Sequence, residues 1–289
     1  DINIAGYRTK TISILYPVSM AGDGLEQALI NICAEAESAA NSGYAYIILS
    51  DRGIEKYQAA IPALLATASV HHHLIREGCR TKIGLVVESG EPRETHHFAC
   101  LIGYGAGAIN PYLVFETIGS LLGEGFVPEM ELDSAIKNFI NAVNKGLNKI
   151  MSKMGISTVQ SYCGAQIFEA IGLNKKFIDS YFTWTASRIG GIGLEVVSQE
   201  SALRHNKAFP KRMINQPELE WGGEYQWRRD GEYHLFNPRS VFKLQNATKS
   251  GQYKIFKEYT DLINNQNEHL ATLRGLFDFK IAKNPIPLE

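Results

Sequence analysis

YAYIILS, residues 44–50, is an unbroken apolar run of strand length, and its reading decides the fold. A run of this kind suits a strand buried on both faces, as in a parallel sheet. Upstream, KTISILYP at 10–17 reads as another strand, rich in β-branched residues and stopped by Pro17. Between them, residues 24–40 place Leu25, Leu29, Ile32, Ala36 and Ala39/Ala40 at helical spacings of three and four, with Gly43 positioned to end the helix. Downstream the alternation continues. Pro62 opens a helix to about Glu77 and Gly78 closes it; KIGLVV at 82–87 is strand-like; 94–103 is a short helix leading into GYGAG; 106–109 is a short strand; Pro111 opens a helix to about Leu122. Helices alternating with apolar strands are the signature of stacked βα units and a parallel sheet.

The longest helix follows, with Leu132, Ile136, Phe139, Ile140, Val143, Leu147, Ile150, Met151 and Met154 on one stripe and Gly155 at its end. Beyond it the spacing predicts a strand at 156–159, a helix at 164–171 ended by Gly172, a strand at 177–182 and a helix at 193–207. After about residue 208 the sequence turns rich in Pro, Gly, Trp, Tyr and charge, with a hairpin-like WGGEYQWRRDGEYHLF at 221–236. Helices at 238–250 and 252–264, a weaker one at 270–277 and an extended KNPIPLE close the chain. The expected organisation is an α/β domain over 1–208, an irregular and helical extension over 209–280, and a linker over 281–289.

The composition is that of a globular protein. In 289 residues, 29 Lys and Arg face 30 Asp and Glu for a net charge of −1, with 45% hydrophobic and 20% charged residues. That balance argues against a disordered chain and against a nucleic-acid binder, which carries a basic surplus. No run of 18 apolar residues is present, so no transmembrane helix and no membrane partner is expected. Cys33, Cys79, Cys100 and Cys163 form no C-x-x-C pair and read as reduced, small buried hydrophobes.

Functional groups in parallel α/β folds gather at the C-terminal ends of strands. Asp51, Arg52, Glu88 and Asn110 occupy such positions, so they are the candidate residues of a barrel mouth. Helix capping and an Arg52–Glu88 pair are the plainer explanation of the same residue types. His71, His72, His73, His96 and His97 raise the alternative of a metal-dependent hydrolase, but neighbouring helical residues point about 100° apart and cannot share one ion. His72 falls on the apolar stripe Ile61, Leu65, Ala68, Ile75 and is expected to face the core, hydrogen-bonded. Gly190-Gly191-Ile192-Gly193 precedes a helix, where a phosphate could bind, although a tight turn explains it as well. No G-x-G-x-x-G, P-loop or local nucleophile motif is present.

Longer segments carry a resemblance: LSDRG at 49–53, IPALLATASVHHHLIREG at 61–78, VVESGEPRETHHFACLIGYGAGAINPYLVFETI at 86–118, NKGLNKIMSKMGISTVQSYCGAQIFEAIGL at 144–173, SRIGGIGLEVV at 187–197 and GEYHLFNP at 231–238. In this order, and over almost the whole chain, they resemble the central domain of glutamate synthase. The resemblance implies an incomplete (β/α) barrel-like domain similar to an FMN-type TIM barrel. It implies a non-catalytic role, linking an amidotransferase domain to an FMN domain and lining the ammonia tunnel between them. The parent enzyme would form two glutamates from glutamine and 2-oxoglutarate. FMN and an iron–sulfur cluster would belong to the parent's flavin domain, with none in this segment, and ferredoxin or an NAD(P)H-oxidising subunit would supply electrons. No catalytic residue is carried over. Thr11 and Ser13, on the strand that matches a tunnel-lining strand of the family, become tunnel candidates. Cytoplasmic or plastid residence, and Asp1 as the cut end of a longer protein, complete the expectations. A vestigial phosphate or flavin site at the barrel mouth is the other reading.

Overall fold

A computed structural model describes residues 6–18, 21–210, 226–229, 231–265, 270–277 and 282–284. The chain divides into two compact units, 1–213 and 214–289.

The first unit is mixed α/β. Its sheet has four parallel strands in chain order: β1 (Thr9–Ser13), β3 (Tyr46–Ser50), β5 (Gly84–Glu88) and β6 (Ala108–Asn110). The helices α1 (Ala21–Asn41), α2 (Ala63–Arg76) and α3 (Thr95–Gly103) make the crossovers, and α4 (Tyr112–Gly123) follows β6. Among the described residues the sheet stays open and does not close into a barrel. Parallel strands need such crossovers because a tight turn cannot reverse the chain twice.

One face of the sheet is the core. Ile12, Ile47, Leu49, Leu85 and Val87 lie on it by register, and each is almost completely buried. Leu25, Leu29, Ile32 and Ala36 of α1 and Leu65, Ala66, Val70 and Leu74 of α2 belong to the same cluster as most of these strand residues. Val87 packs with Ala63 and Leu101, which adds α3 to that face. Each such side chain contributes roughly 1.5–3 kcal/mol when fully buried. The opposite face carries Thr11, Ile48, Val86 and Ala108, of which Thr11 and Ala108 are exposed.

The expected strand at 10–17 is two strands. Ile14 donates to the Ser50 carbonyl and accepts from Ile61, and β2 (Leu15–Pro17) then leaves the sheet to pair antiparallel with β4 (Gln58–Ala60). Later, α5 (Leu132–Lys153) forms as its apolar stripe predicts.

Three expectations fail between residues 156 and 182. Residues 156–158 form no strand, and Thr158 instead caps the short helix α6 (Val159–Tyr162) through its hydroxyl. Residues 169–173, expected at the end of a helix, are strand β7, paired in parallel with β8 (Ala186–Ile192). Residues 177–182, expected as a strand, fall mostly in helix α7 (Lys175–Tyr181), capped by Asn174 accepting from the Phe177 amide at 2.8 Å. The pairing partner and the cap decide these segments, because short apolar runs have no period of their own. Helix α8 (Leu194–Ala208) forms where the spacing places it.

In the second unit, α9 (Pro238–Ser250) is capped by Asn237 and ends at Gly251 in the left-handed conformation. Helix α10 (Tyr253–Asn264) packs on it, with Lys243 and Glu258 paired across them at 2.5 Å. Residues 273–276 make one 3-10 turn in place of the longer expected helix. Of the hairpin-like stretch, 226–229 and 231–236 carry no strand; residues 221–225 and Asp230 lie outside the described residues, as do 211–220 and 285–289.

Gly191 makes the β7–β8 pair possible, since a Cβ there would be driven into the Gly172 carbonyl, whereas Gly190 faces open space. Gly191→Ala is expected to destabilise the chain by about 1–3 kcal/mol in urea unfolding, and Gly190→Ala by less than about 1 kcal/mol. Equal effects would exclude this packing.

Candidate functional site

The last residues of the four parallel strands stand in one row: Ser13 beside Ser50, Ser50 beside Glu88, and Glu88 beside Asn110. Strand alternation puts all four on one face, the face away from the helices. The residues that follow, Asp51, Arg52, Ser89 and Gly90, form the loops at this end. The structure therefore brings Asp51, Arg52, Glu88 and Asn110 into one cluster.

Glu88 is the outer acceptor. Its Oε2 accepts from Ser50 Oγ at 2.7 Å, and its Oε1 from Arg52 Nε at 2.9 Å and Asn110 Nδ2 at 3.2 Å. Burial alone would raise its pKa. The hydrogen bonds from Arg52 and Ser50 and the guanidinium charge outweigh that, holding the carboxyl below its ordinary value. Arg52 is shifted upward, chiefly by the same hydrogen bond to Glu88. Its guanidinium lies 4.0 Å from the centre of the Tyr112 ring, with Glu116 at 3.8 Å.

Asp51 is the inner acceptor, and only 1% of it is exposed. Its Oδ2 accepts from Ser89 Oγ at 2.6 Å and the Gly90 amide at 3.0 Å, and its Oδ1 from the Tyr112 hydroxyl at 2.8 Å. Burial, then the hydrogen bond to Asp51, push the Tyr112 hydroxyl far up, so it stays a donor. Glu91 extends the network, accepting from the Ala63 amide at the start of α2 at 2.7 Å. Tyr112 is the member that sequence reasoning missed. Its signal was its place as the first helical residue after Asn110-Pro111.

The hydroxyl donors of this cluster, on Ser50, Ser89 and Tyr112, are committed to its two carboxylates. A phosphate or flavin phosphate would face Asp51 and Glu88 with only the second N–H of Asn110 and the outer nitrogens of Arg52 left to donate, so these residues are a poor fit for that group. The glycines at 190–193 fare no better. Gly193 caps α8, and the recess there, about 290 Å³, is lined by the three carboxylates of Asp23, Glu26 and Glu195 against the single cation of Lys176. The net negative charge opposes a phosphate.

Thr11 and Ser13 sit on β1, the strand at one end of the sheet order, both exposed on the uncovered face. Ser13 is the β1 member of the polar row, and Thr11 is the next residue along the same face, in register with Ile48.

The histidines disperse. Of the three consecutive histidines on α2, the buried, hydrogen-bonded one is His71, not His72 as the stripe predicted. Its Nδ1 accepts from Arg80 Nε at 2.9 Å, and burial together with Arg80 lowers its pKa to about 3. His72 is only half-buried and its Nε2 has no partner. His73 meets Glu37 at 3.0 Å. His97 completes the capping box of α3, and His96 lies 3.5 Å from Cys100 Sγ. Among the described residues no three His, Cys, Asp or Glu converge on one point, so the metal-hydrolase reading has no geometry behind it. Burial pushes the Cys33 and Cys100 thiols up to about 11, which makes them poor nucleophiles. Among the described residues no helix is long and apolar enough to cross a membrane.

Residues 2–174 match the family model described as the glutamate synthase central domain. The chain is 43% identical over 282 residues to the NADPH glutamate synthase large chain of Bacillus subtilis, covering 98% of this chain and 18% of that one. It is 37% identical over 289 residues to the NADH glutamate synthase of Schizosaccharomyces pombe, covering 98% and 14%. It is 37% identical over 279 residues to the ferredoxin-dependent glutamate synthase of Cyanidium caldarium, covering 93% and 18%. The chain thus spans less than a fifth of the length of these relatives. Among solved structures it is similar to a mutant flavocytochrome b2 with benzoylformate, at 15% identity over 46% of this chain and 31% of that one, with a TM-score of 0.39; that is too low to bear on fold or function.

The cluster's geometry can be tested at each carboxylate. Asp51→Ala leaves three donors without an acceptor and is expected to cost about 3 kcal/mol in urea unfolding; a cost under about 1 kcal/mol would contradict the network. Because the folded Glu88 carboxyl lies below its ordinary 4.5, its contribution is complete above that pH and is lost as pH falls through the folded value. Glu88→Gln is therefore expected to flatten the stability curve on the acid side only.

Proposed function

The chain belongs to the glutamate synthase central-domain family, and on that premise we propose that it is a non-catalytic connecting domain of a glutamate synthase large chain. The parent enzyme would form two glutamates from glutamine, 2-oxoglutarate and reductant. The central segment would join the amidotransferase and FMN domains of the same chain and contribute wall to the ammonia tunnel. FMN and an iron–sulfur cluster would reside in the flavin domain, and ferredoxin or an NAD(P)H-oxidising subunit would deliver electrons, in the cytoplasm or a plastid.

The observation that carries this reading is the match along nearly the whole chain to enzymes more than five times its length. The site chemistry supports it. The four βα units read as the first half of an eight-unit barrel, with the helices outside and the inner face bare. At its mouth, where a barrel enzyme would hold substrate, the Asp51 carboxylate is satisfied by Ser89, Gly90 and Tyr112, and that of Glu88 is paired with Arg52. We read Asp51, Arg52, Glu88 and Asn110 as a clasp that fixes the mouth loops, with no role in turnover.

Thr11 and Ser13 suit a tunnel wall. Small hydroxyls can exchange hydrogen bonds with ammonia without holding it by charge. The stoichiometry of the full-length enzyme tests this. Intact channelling gives two glutamates per glutamine consumed. Thr11→Phe, which fills the wall without adding charge, is expected to lower that ratio toward one, as ammonia escapes instead of reaching 2-oxoglutarate. A ratio that stays at two in a folded, active variant would remove Thr11 from the tunnel. The 289-residue chain alone is expected to show neither glutaminase nor glutamate-forming turnover, and substantial turnover of either would overturn the non-catalytic reading.

A further inference from the structure

A second cavity lies where the sheet's strands begin, at the end opposite the polar row. Helix α2 runs back from the C-terminal ends of the strands, so its last turns and the α3–β6 loop meet there. The cavity, about 240 Å³, is lined by His72 and Arg76 of α2, by Tyr104 after α3, and by Gln166, Phe168 and Trp184 around the β7–β8 pair. We propose that it is a binding site for a small aromatic carboxylate, with the ring held against the aromatic walls and the carboxylate at Arg76.

The walls are aromatic and arranged about Tyr104. Phe168 stacks on Tyr104 at 5.7 Å between ring centres, and His72 meets it edge-on at 6.3 Å. The Tyr104 hydroxyl is tied to Thr185 Oγ1 at 2.6 Å, which fixes the ring. A cavity of about 150 Å³ holds benzene, so this one has room for one or two rings.

One polar group is left for a ligand, because His72 Nε2, though without a hydrogen-bond partner, is sealed from the cavity. Burial, then the Arg76 charge, lower the His72 pKa to about 4, so the imidazole in the cavity wall is neutral at pH 7 and does not compete with Arg76 for an anion. Arg76 donates to Thr183 Oγ1 at 3.2 Å and has no carboxylate partner among the described residues. Its remaining donors suit an anion, with the fork geometry that carboxylates prefer.

Backbone strain marks the same place. Two non-glycine residues of the described chain have left-handed φ: Gln166 at 55° and Trp184 at 67°, and both line this cavity. Such conformations persist where the surroundings impose them, and they cluster at ligand sites. Trp184 is 79% exposed, so burial of its ring does not explain its position. A ligand ring that covers it would. Arg76, without a carboxylate partner among the described residues, and an uncovered indole together select a planar acid over a bare anion or a hydrocarbon.

The test is calorimetric titration of the 289-residue chain with indole-3-acetate, with indole and inorganic phosphate as comparisons. Indole-3-acetate is expected to bind about tenfold or more tighter than either. Arg76→Gln is expected to weaken indole-3-acetate about tenfold and leave indole unchanged, since it removes only the charge pairing. Trp184→Gly, which relieves the left-handed strain, is expected to raise thermal stability while weakening both indole compounds. Circular dichroism and the melting transition establish that each variant is folded. No binding to the folded chain at roughly 5 mM ligand overturns the proposal. So does phosphate binding as tightly as indole-3-acetate, or affinity unchanged in both variants.

Discussion

Parallel pairing with every crossover helix on one side is the constraint on which the rest of the first unit depends. Four strands joined in chain order, β1, β3, β5 and β6, must each be followed by a helix that returns to the starting edge. Ile12, Ile47, Leu49, Leu85 and Val87 commit one face to those helices. A one-residue slip would move all of them to the open side, so the register is fixed by burial. That register also sets Ser13, Ser50, Glu88 and Asn110 abreast at one end. The polar row is a consequence of the core packing, with no separate device needed to assemble it.

Its chemistry follows from placing carboxylates where strands end. A nearly buried aspartate must be paired or surrounded by donors, and Asp51 draws its donors from Ser89, Gly90 and Tyr112. Glu88 does the same with Ser50, Arg52 and Asn110. The two carboxylates thereby bind the ends of three strands and the start of α4 into one rigid rim. A catalytic carboxylate needs an open lone pair toward a substrate and a pKa near the working pH. Glu88 is driven away from that range by its own partners. The arrangement that stabilises the rim is the one that makes it a poor acid or base.

The sequence carried the first half of the unit in its periodicity. The stripes of α1, α2 and α5 and the apolar runs of β3 and β5 are long enough to have a single reading, and each forms within a few residues of its expected place. The four mouth residues were legible for the same reason, since each directly follows such a strand. Legibility ends where tertiary partners decide. EAIGL at 169–173 has no strand pattern and becomes one through β8, whose glycines would argue against a strand in isolation. FIDSYF at 177–182 has strand-like apolar content, but Asn174 before it caps a helix, and that signal stands in the sequence. His72 departs from expectation for a related reason. The stripe placed it correctly on α2 but could not show that Arg80, folding back from beyond Gly78, would select His71.

The residues that the pattern could not place are also those around the second cavity. Gln166, Phe168 and Trp184 lie in the stretch where helix and strand were exchanged, and two of them adopt backbone conformations that no local preference favours. Where each local choice agrees with the fold, propensity, spacing and packing point the same way. At the polar row they agree, and its groups satisfy one another. At the cavity they disagree, and His72 Nε2 is left without a partner. Local conflict is costly unless something outside the chain compensates for it. In this molecule that conflict, in the left-handed Gln166 and Trp184, lies at the end of the sheet remote from the strand C-termini, so any ligand-binding capacity is expected there and not at the mouth that barrel topology would nominate.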